Sequence, residues 1–214
     1  MEDIQLNKIN TTIIGAGGLA REIDSWIALD NKSNIKINGF WDDNQLALDN
    51  YNISKKVLGD LSDPRISGSV LIGIMDCNFK QIIFERLNSS DKIKISSYLN
   101  ESVIIGLRSE YGIGSILFPK VIVSCDVKIG NGCFINLGTQ IGHDAKIGDY
   151  VSIMPKVDLG GGVEIGNNVF IGTGATILPG VKIASNTRIG AGSVVLKSIK
   201  NGGTYFGNPA KKIF

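Results

Sequence analysis

His143 is the only histidine in 214 residues, and Asp144 follows it directly. An imidazole titrates near neutrality and can take a proton from an attacking nucleophile, so any such chemistry falls to His143. A single histidine also excludes a metal site that needs two or three imidazoles from one chain. The three cysteines form no CxxC, and their odd number suits reduced thiols. Cys125 is a conceivable thiol nucleophile, but no second histidine is available to activate it. A different chemistry is suggested near the start of the chain. In Gly15-Ala-Gly17-Gly18-Leu-Ala20, the glycines would let backbone N–H groups approach a phosphate at a helix N-terminus. A tight strand-to-helix turn is the alternative reading of the same residues. Asp42 and Asp43 fall at the end of the next strand, where carboxylates accept hydrogen bonds from a ribose or a base.

The elements that must position these residues differ between the two halves. From Leu99 to Val195, every sixth residue is apolar, without an insertion: Leu99, Ile105, Tyr111, Leu117 and so on through Ile189. The position four further on is small or β-branched, and glycine often follows the large aliphatic. A period of six is neither helical nor a plain alternation. It fits a short strand and a tight corner, three of which close a triangular coil, with coils stacked at about 4.8 Å. The large aliphatic then points inward, and glycine relieves strain at the turns. Residues 18 apart are stacked, so Gly161 is expected above His143 and Cys125 below it. This is the hexapeptide repeat of the left-handed parallel β-helix.

The first half reads as alternating strands and helices with a parallel sheet. Strands are expected at 9–14, 35–40, 70–74 and 93–98, with helices from the glycine turn to about Leu29 and at 79–87. This is a Rossmann-like half-domain. It is too short for a dinucleotide fold of two mononucleotide halves, so a nucleoside diphosphate fits better than a nicotinamide cofactor. The expected division is 1–98 for this module, 99–200 for the coil and 201–214 for a tail.

Composition narrows the function further. The net charge of +2 argues against nucleic acid as a partner. No apolar run approaches the ~20 residues that span a membrane, and the acidic, polar start MEDIQLNKIN does not read as a signal peptide. A cytoplasmic protein is expected. Residues 1–98 carry 11 Lys+Arg against 13 Asp+Glu, while 99–214 carry 11 against 7. The coil is therefore the half suited to an anionic ligand.

Taken together, IIGAGGLAREI, GFWDDN, VLGDL, IGIMD, the unbroken hexapeptides, the His-acid pair and the closing GNPAKKI resemble one family. The chain is similar to the bacterial sugar-nucleotide N-acetyltransferases and the related sialic acid O-acetyltransferases. The resemblance implies a homotrimer with active sites at subunit interfaces, acetyl-CoA as cosubstrate, no metal, and a nucleotide-linked amino sugar as acceptor for O-antigen, capsule or other glycans. It implies that His143 is the general base, that Asp144 orients it, that the Gly161 N–H is the oxyanion donor and that Asn136 contacts the amine or the imidazole. Gly15, Gly17, Gly18, Asp42, Asp43 and Asp76 would hold the nucleotide sugar. Ser152, Gly161, Thr173, Ala191 and Lys211 would meet the coenzyme. Ser152 replaces a second histidine of many relatives, Asn100 stands where a histidine is common, and Met75-Asp76-Cys77 replaces Gly-Asp-Asn. A sialic acid O-acetyltransferase and a non-catalytic hexapeptide scaffold are the rival expectations.

Overall fold

A computed structural model describes residues 8–213. The acidic start at residues 1–7 lies outside the described residues. The chain forms two units by contact. One runs to Ile74 and resumes at Phe84–Ser96; the other takes Met75–Ile83 and everything from Ser97 onward.

In the first unit, β1 (Ile9–Ile14), β2 (Ile35–Trp41), β3 (Gly68–Ile72) and β4 (Ile93–Ile95) pair in parallel in the order β2-β1-β3-β4. The central strand β1 ends in the fully buried pair Ile13 and Ile14, as a parallel strand covered on both faces should. Helix α1 (Gly18–Leu29) buries Leu19, Ala20, Ile23 and Ile27, one apolar stripe at helical spacing. The Rossmann-like expectation holds in part. The sheet is parallel and α1 links β1 to β2, but residues 42–67 join β2 to β3 without a regular helix. Helix α2 (Cys77–Asn88) precedes β4 and is shared between the units.

The strand expected at 93–98 is two strands. Ser96 donates its N–H to Val70 O at the end of β4, whereas Tyr98–Leu99 pairs with Ile116–Leu117 of the coil. The apolar residues are continuous, but the backbone changes sheet at Ser96-Ser97.

The second unit is a three-faced parallel solenoid. Its strands are mostly two residues long, and most pair with the strand 18 residues on, as in Gln140↔Asp158 and Ile141↔Leu159, the spacing shortening to 16 at the last coil, as in Thr187↔Gly203. Five, six and eight strands make the three faces. The inward column, including Leu117, Ile135, Ile153, Ile171 and Ile189, is fully buried beside small partners such as Val121, Val157 and Ala175. This is the hexapeptide architecture, consistent with a left-handed β-helix. Tyr111 departs from the expected pattern: it is exposed on the first coils, so the core begins above it. Residues Gly203–Phe206 and Lys211–Lys212 close the other end as an antiparallel pair. Among the described residues, no helix is long and apolar enough to cross a membrane.

The glycines that follow the aliphatics are not strain-relieving turn residues. Gly142 has an ordinary φ, and a Cβ there would lie 2.5 Å from Gly161 N on the next coil. Close stacking of coils requires the missing side chain. The left-handed backbone falls two residues later, at Arg108, Asp126, Asp144 and Gly162 (φ 61, 60, 59 and 66°).

Candidate functional site

His143 occupies a corner of the coil in the column Leu107, Cys125, His143, Gly161, Pro179. Neighbouring side chains on a flat strand point to opposite sides. The left-handed backbone at Asp144 turns its carboxylate back, and Oδ2 meets His143 Nδ1 at 2.7 Å. Both side chains are about two-thirds exposed (65% and 67%), so ligands and solvent reach them. With Nδ1–H donated to the carboxylate, Nε2 keeps its lone pair free to accept a proton. That nitrogen lies over Gly161, where a Cβ would come within 2.6 Å.

The amides of this corner differ from those of the Asn131 corner. On another corner, each N–H is capped by a side chain of the next coil: Asn131 by Asp149, Asp149 by Asn167, and Asn167 by Ser185, at 2.7–2.9 Å. In the His143 column the residues above are Gly161 and Pro179, which offer no side-chain acceptor. The N–H groups of His143 and Gly161 thus have no such cap. A bare, fixed N–H beside a base is a ready hydrogen-bond donor for a developing oxyanion.

The other expected site residues lie elsewhere. Asn136 follows Ile135 on a different face and is not joined to His143 within the chain; its Oδ1 accepts the Leu137 N–H at 2.7 Å. Thr173 and Ala191 are exposed and stacked on successive coils, at a corner other than that of His143. Lys211 is exposed in the closing strand pair.

Ser152 is not presented to a coenzyme. It is fully buried, donates its hydroxyl to Met75 O at 2.7 Å and accepts from Lys80 Nζ at 2.8 Å. Lys80 Nζ also donates to Val151 O at 3.2 Å. Without a formal counter-charge among these partners, burial pushes the Lys80 ammonium below the usual lysine range, and burial raises the neighbouring Cys133 thiol to about 11. The signal for this cluster was in the sequence. Lys80 shares the stripe of Cys77, Ile83, Phe84 and Leu87, which is otherwise the apolar face of α2.

In the first unit, the glycine turn is held by an acid. Asp42 Oδ2 accepts the Ala16 N–H at 2.7 Å, and its Oδ1 accepts the Asn44 N–H at 2.8 Å. Asp43 Oδ1 accepts from the Leu61 N–H at 2.9 Å. Gly15 needs its φ of +98° for the turn. Gly17 and Gly18 need neither an unusual φ nor the space: a Cβ at 17 would meet nothing within 4 Å, and one at 18 only Arg21 Nη2 at 3.9 Å. Both are exposed at the start of α1, which has no side-chain cap and no acid in its first turn. That leaves N–H donors open where the helix dipole favours an anion. Asp76 belongs to the other unit and caps α2, accepting the Phe79 N–H at 2.9 Å.

Residues 162–197 match the family described as bacterial transferase hexapeptide (six repeats). No curated protein sequence matches the chain. Solved structures do. The acetyltransferase domain of PglB from Neisseria gonorrhoeae FA1090 superposes with a TM-score of 0.87 at 24% identity, covering 96% of this chain and 100% of that one. PerB from Caulobacter crescentus, in complex with CoA and GDP-perosamine, gives 0.83 at 25%, covering 95% and 96%. WeeI from Acinetobacter baumannii AYE gives 0.79 at 26%, covering 95% and 99%. Repeat and fold thus define the class: this is a hexapeptide-repeat solenoid whose fold is that of the PglB acetyltransferase domain, PerB and WeeI. Among the described residues, no group of His, Cys, Asp and Glu is arranged to hold a metal ion.

Proposed function

We propose that this protein transfers an acetyl group from acetyl-CoA to the amino group of a nucleotide-linked amino sugar. The observation that carries the reading is the corner at His143: a base nitrogen over Gly161, its other nitrogen on Asp144, and an uncapped N–H alongside. The amine nitrogen attacks the thioester carbonyl, and His143 Nε2 takes the proton lost. The oxyanion accepts the Gly161 N–H. Collapse expels the thiolate of CoA, which recovers the proton from the imidazolium. No acyl-enzyme forms, so Cys125 has no part to play.

The similarity to PerB, whose structure holds CoA and GDP-perosamine, supports both substrates. The sugar nucleotide's diphosphate would lie against Gly17, Gly18 and the open start of α1, with Asp42 fixing the turn. Thr173 and Ala191 would offer backbone to the coenzyme, and Lys211 its charge to the phosphates. Asn136 would meet the amine from a neighbouring copy of a homotrimer. Acetyl-CoA as donor suits the cytoplasm, and the product suits the building of O-antigen or capsule.

The test is an acetyl-transfer assay with UDP-, dTDP- and GDP-linked amino sugars, paired with calorimetry against the three nucleotides. One nucleotide should bind and its amino sugar should be acetylated. His143→Asn should still bind it while kcat falls by about 10²–10⁴-fold. Full turnover in that variant would overturn the role of His143. Acetylation of free sialic acid without nucleotide binding would overturn the substrate, and no turnover with any acceptor would leave a scaffold.

A further inference from the structure

An ion pair lies beneath His143 and Asp144. Arg108, Asp126 and Asp144 occupy one corner position on three successive coils, all in left-handed backbone. Coils are about one strand spacing apart, ~4.8 Å, so the backbones of Asp126 and Asp144 are stacked as neighbours, one carboxylate turned to Arg108 and the other to His143. Like charges this close disfavour each other's ionised form. Arg108 offsets this with two hydrogen bonds to Asp126, Nε to Oδ1 at 2.6 Å and Nη2 to Oδ2 at 2.7 Å. The bond from Arg108, followed by one from the Cys125 thiol, holds the Asp126 carboxyl below its usual range. The two tiers also feel each other: a protonated His143 favours ionised Asp126, and Asp144 favours the charged guanidinium.

The groups around the ring are few. Asp144 is on its own turn, Cys125 and Asp126 are on the coil below, and the glycines at 161 and 162 above carry no charge. We propose that Arg108 is a positioning residue for the base: by neutralising Asp126, it leaves Asp144 as the carboxylate that acts on the His143 imidazole. Its catalytic meaning rests on the proposed function, whereas the charge arrangement itself can be tested without turnover.

One histidine per chain makes the test direct. The full-length protein is labelled with ¹⁵N in the imidazole, and its protonation is followed by NMR against pH. In Arg108→Gln, the Asp126 charge is released toward the ring, and the midpoint should rise by about 0.3 pH, as expected for a partly screened charge one coil away. In Asp126→Asn, the guanidinium is left uncompensated, and the midpoint should fall by a similar amount. The double variant should return toward the parent, and 1 M salt, with a Debye length of about 3 Å, should shrink both shifts. A merely structural pair would not give opposite signs. Two variants that leave the midpoint unmoved, or move it the same way, would overturn the proposal. Opposite shifts in a protein that acetylates nothing would sink the enzyme reading and leave the charge arrangement standing.

Discussion

His143 Nε2 lies where a side chain at residue 161 would begin: a Cβ on Gly161 would be 2.6 Å from Nε2 and 2.7 Å from Cε1. No Cβ is tolerated at that distance, so Gly161→Ala must turn the ring away and break its contact with Asp144. The backbone at 161 has an ordinary φ, so the coil itself has no reason to object. The expected outcome is a kcat loss approaching that of removing the base, about 10²-fold or more. Gly162→Ala is the contrast. Its φ of +66° penalises a side chain by roughly 1–2 kcal/mol, but nothing lies within 4 Å. That variant should melt earlier and keep its kcat. Melting curves and steady-state rates of the pair decide the matter.

The acid beside the base separates in the same way. Asp144 adopts φ +59° and accepts from the imidazole. Asparagine tolerates left-handed backbone and still offers an oxygen, whereas alanine does neither. Asp144→Asn should therefore keep the melting temperature and lose only about fivefold in kcat, the scale of an exposed pair. Asp144→Ala should lose more activity and about 1 kcal/mol of stability. Parental activity in both variants would show that the carboxylate does not orient the ring.

The coil was legible in the sequence because its physics is strictly periodic. Each inward aliphatic repeats after six residues, so the stacking of Gly161 on His143 followed from a difference of 18. Two things were not legible. A short-range reading cannot tell that Ile93–Tyr98 leaves one sheet and enters another, because the change is made by backbone hydrogen bonds at Ser96 rather than by a break in hydrophobicity. Nor does Ser152 announce its burial. Only the lysine set in the apolar stripe of α2 hinted that a polar group of the coil must be waiting for it. Arg108 and Asp126 obey the same spacing of 18, but their charge pairing was hidden because the direction of each side chain is set by the left-handed backbone at the corner, which the period does not reveal.

Gly18 gives a prediction in which stability and binding move in opposite directions. It is the first residue of α1, and a side chain there would meet only Arg21 Nη2 at 3.9 Å. Alanine favours a helix over glycine by up to about 1 kcal/mol. Gly18→Ala should therefore melt at the same or a higher temperature. If a diphosphate lies against this turn, the added methyl stands in its way, and affinity for the nucleotide should drop about tenfold or more, or ~1.4 kcal/mol. Unchanged affinity by calorimetry would remove the diphosphate from this turn.

Lys80 predicts how stability depends on pH. Burial lowers its folded-state affinity for a proton, while the unfolded chain keeps the ordinary lysine value of 10.5. Between those two values, the unfolded state binds more protons, so stability rises with pH across that window. The burden of the buried charge is full below the folded value and gone above the unfolded one. Lys80→Met removes this contribution and also the bonds to Ser152 and Val151, a loss that does not vary with pH. The melting temperature of the variant relative to the parent should thus be highest in acid and fall steadily as pH rises toward 10. Titrating groups away from Lys80 are common to both proteins and cancel in the difference, and the coupled Cys133 thiol, raised to about 11, stays neutral over most of this range. A difference that stays flat from pH 6 to 10 would show that Lys80 keeps its proton in the folded coil, held by the Ser152 hydroxyl and the Val151 carbonyl alone.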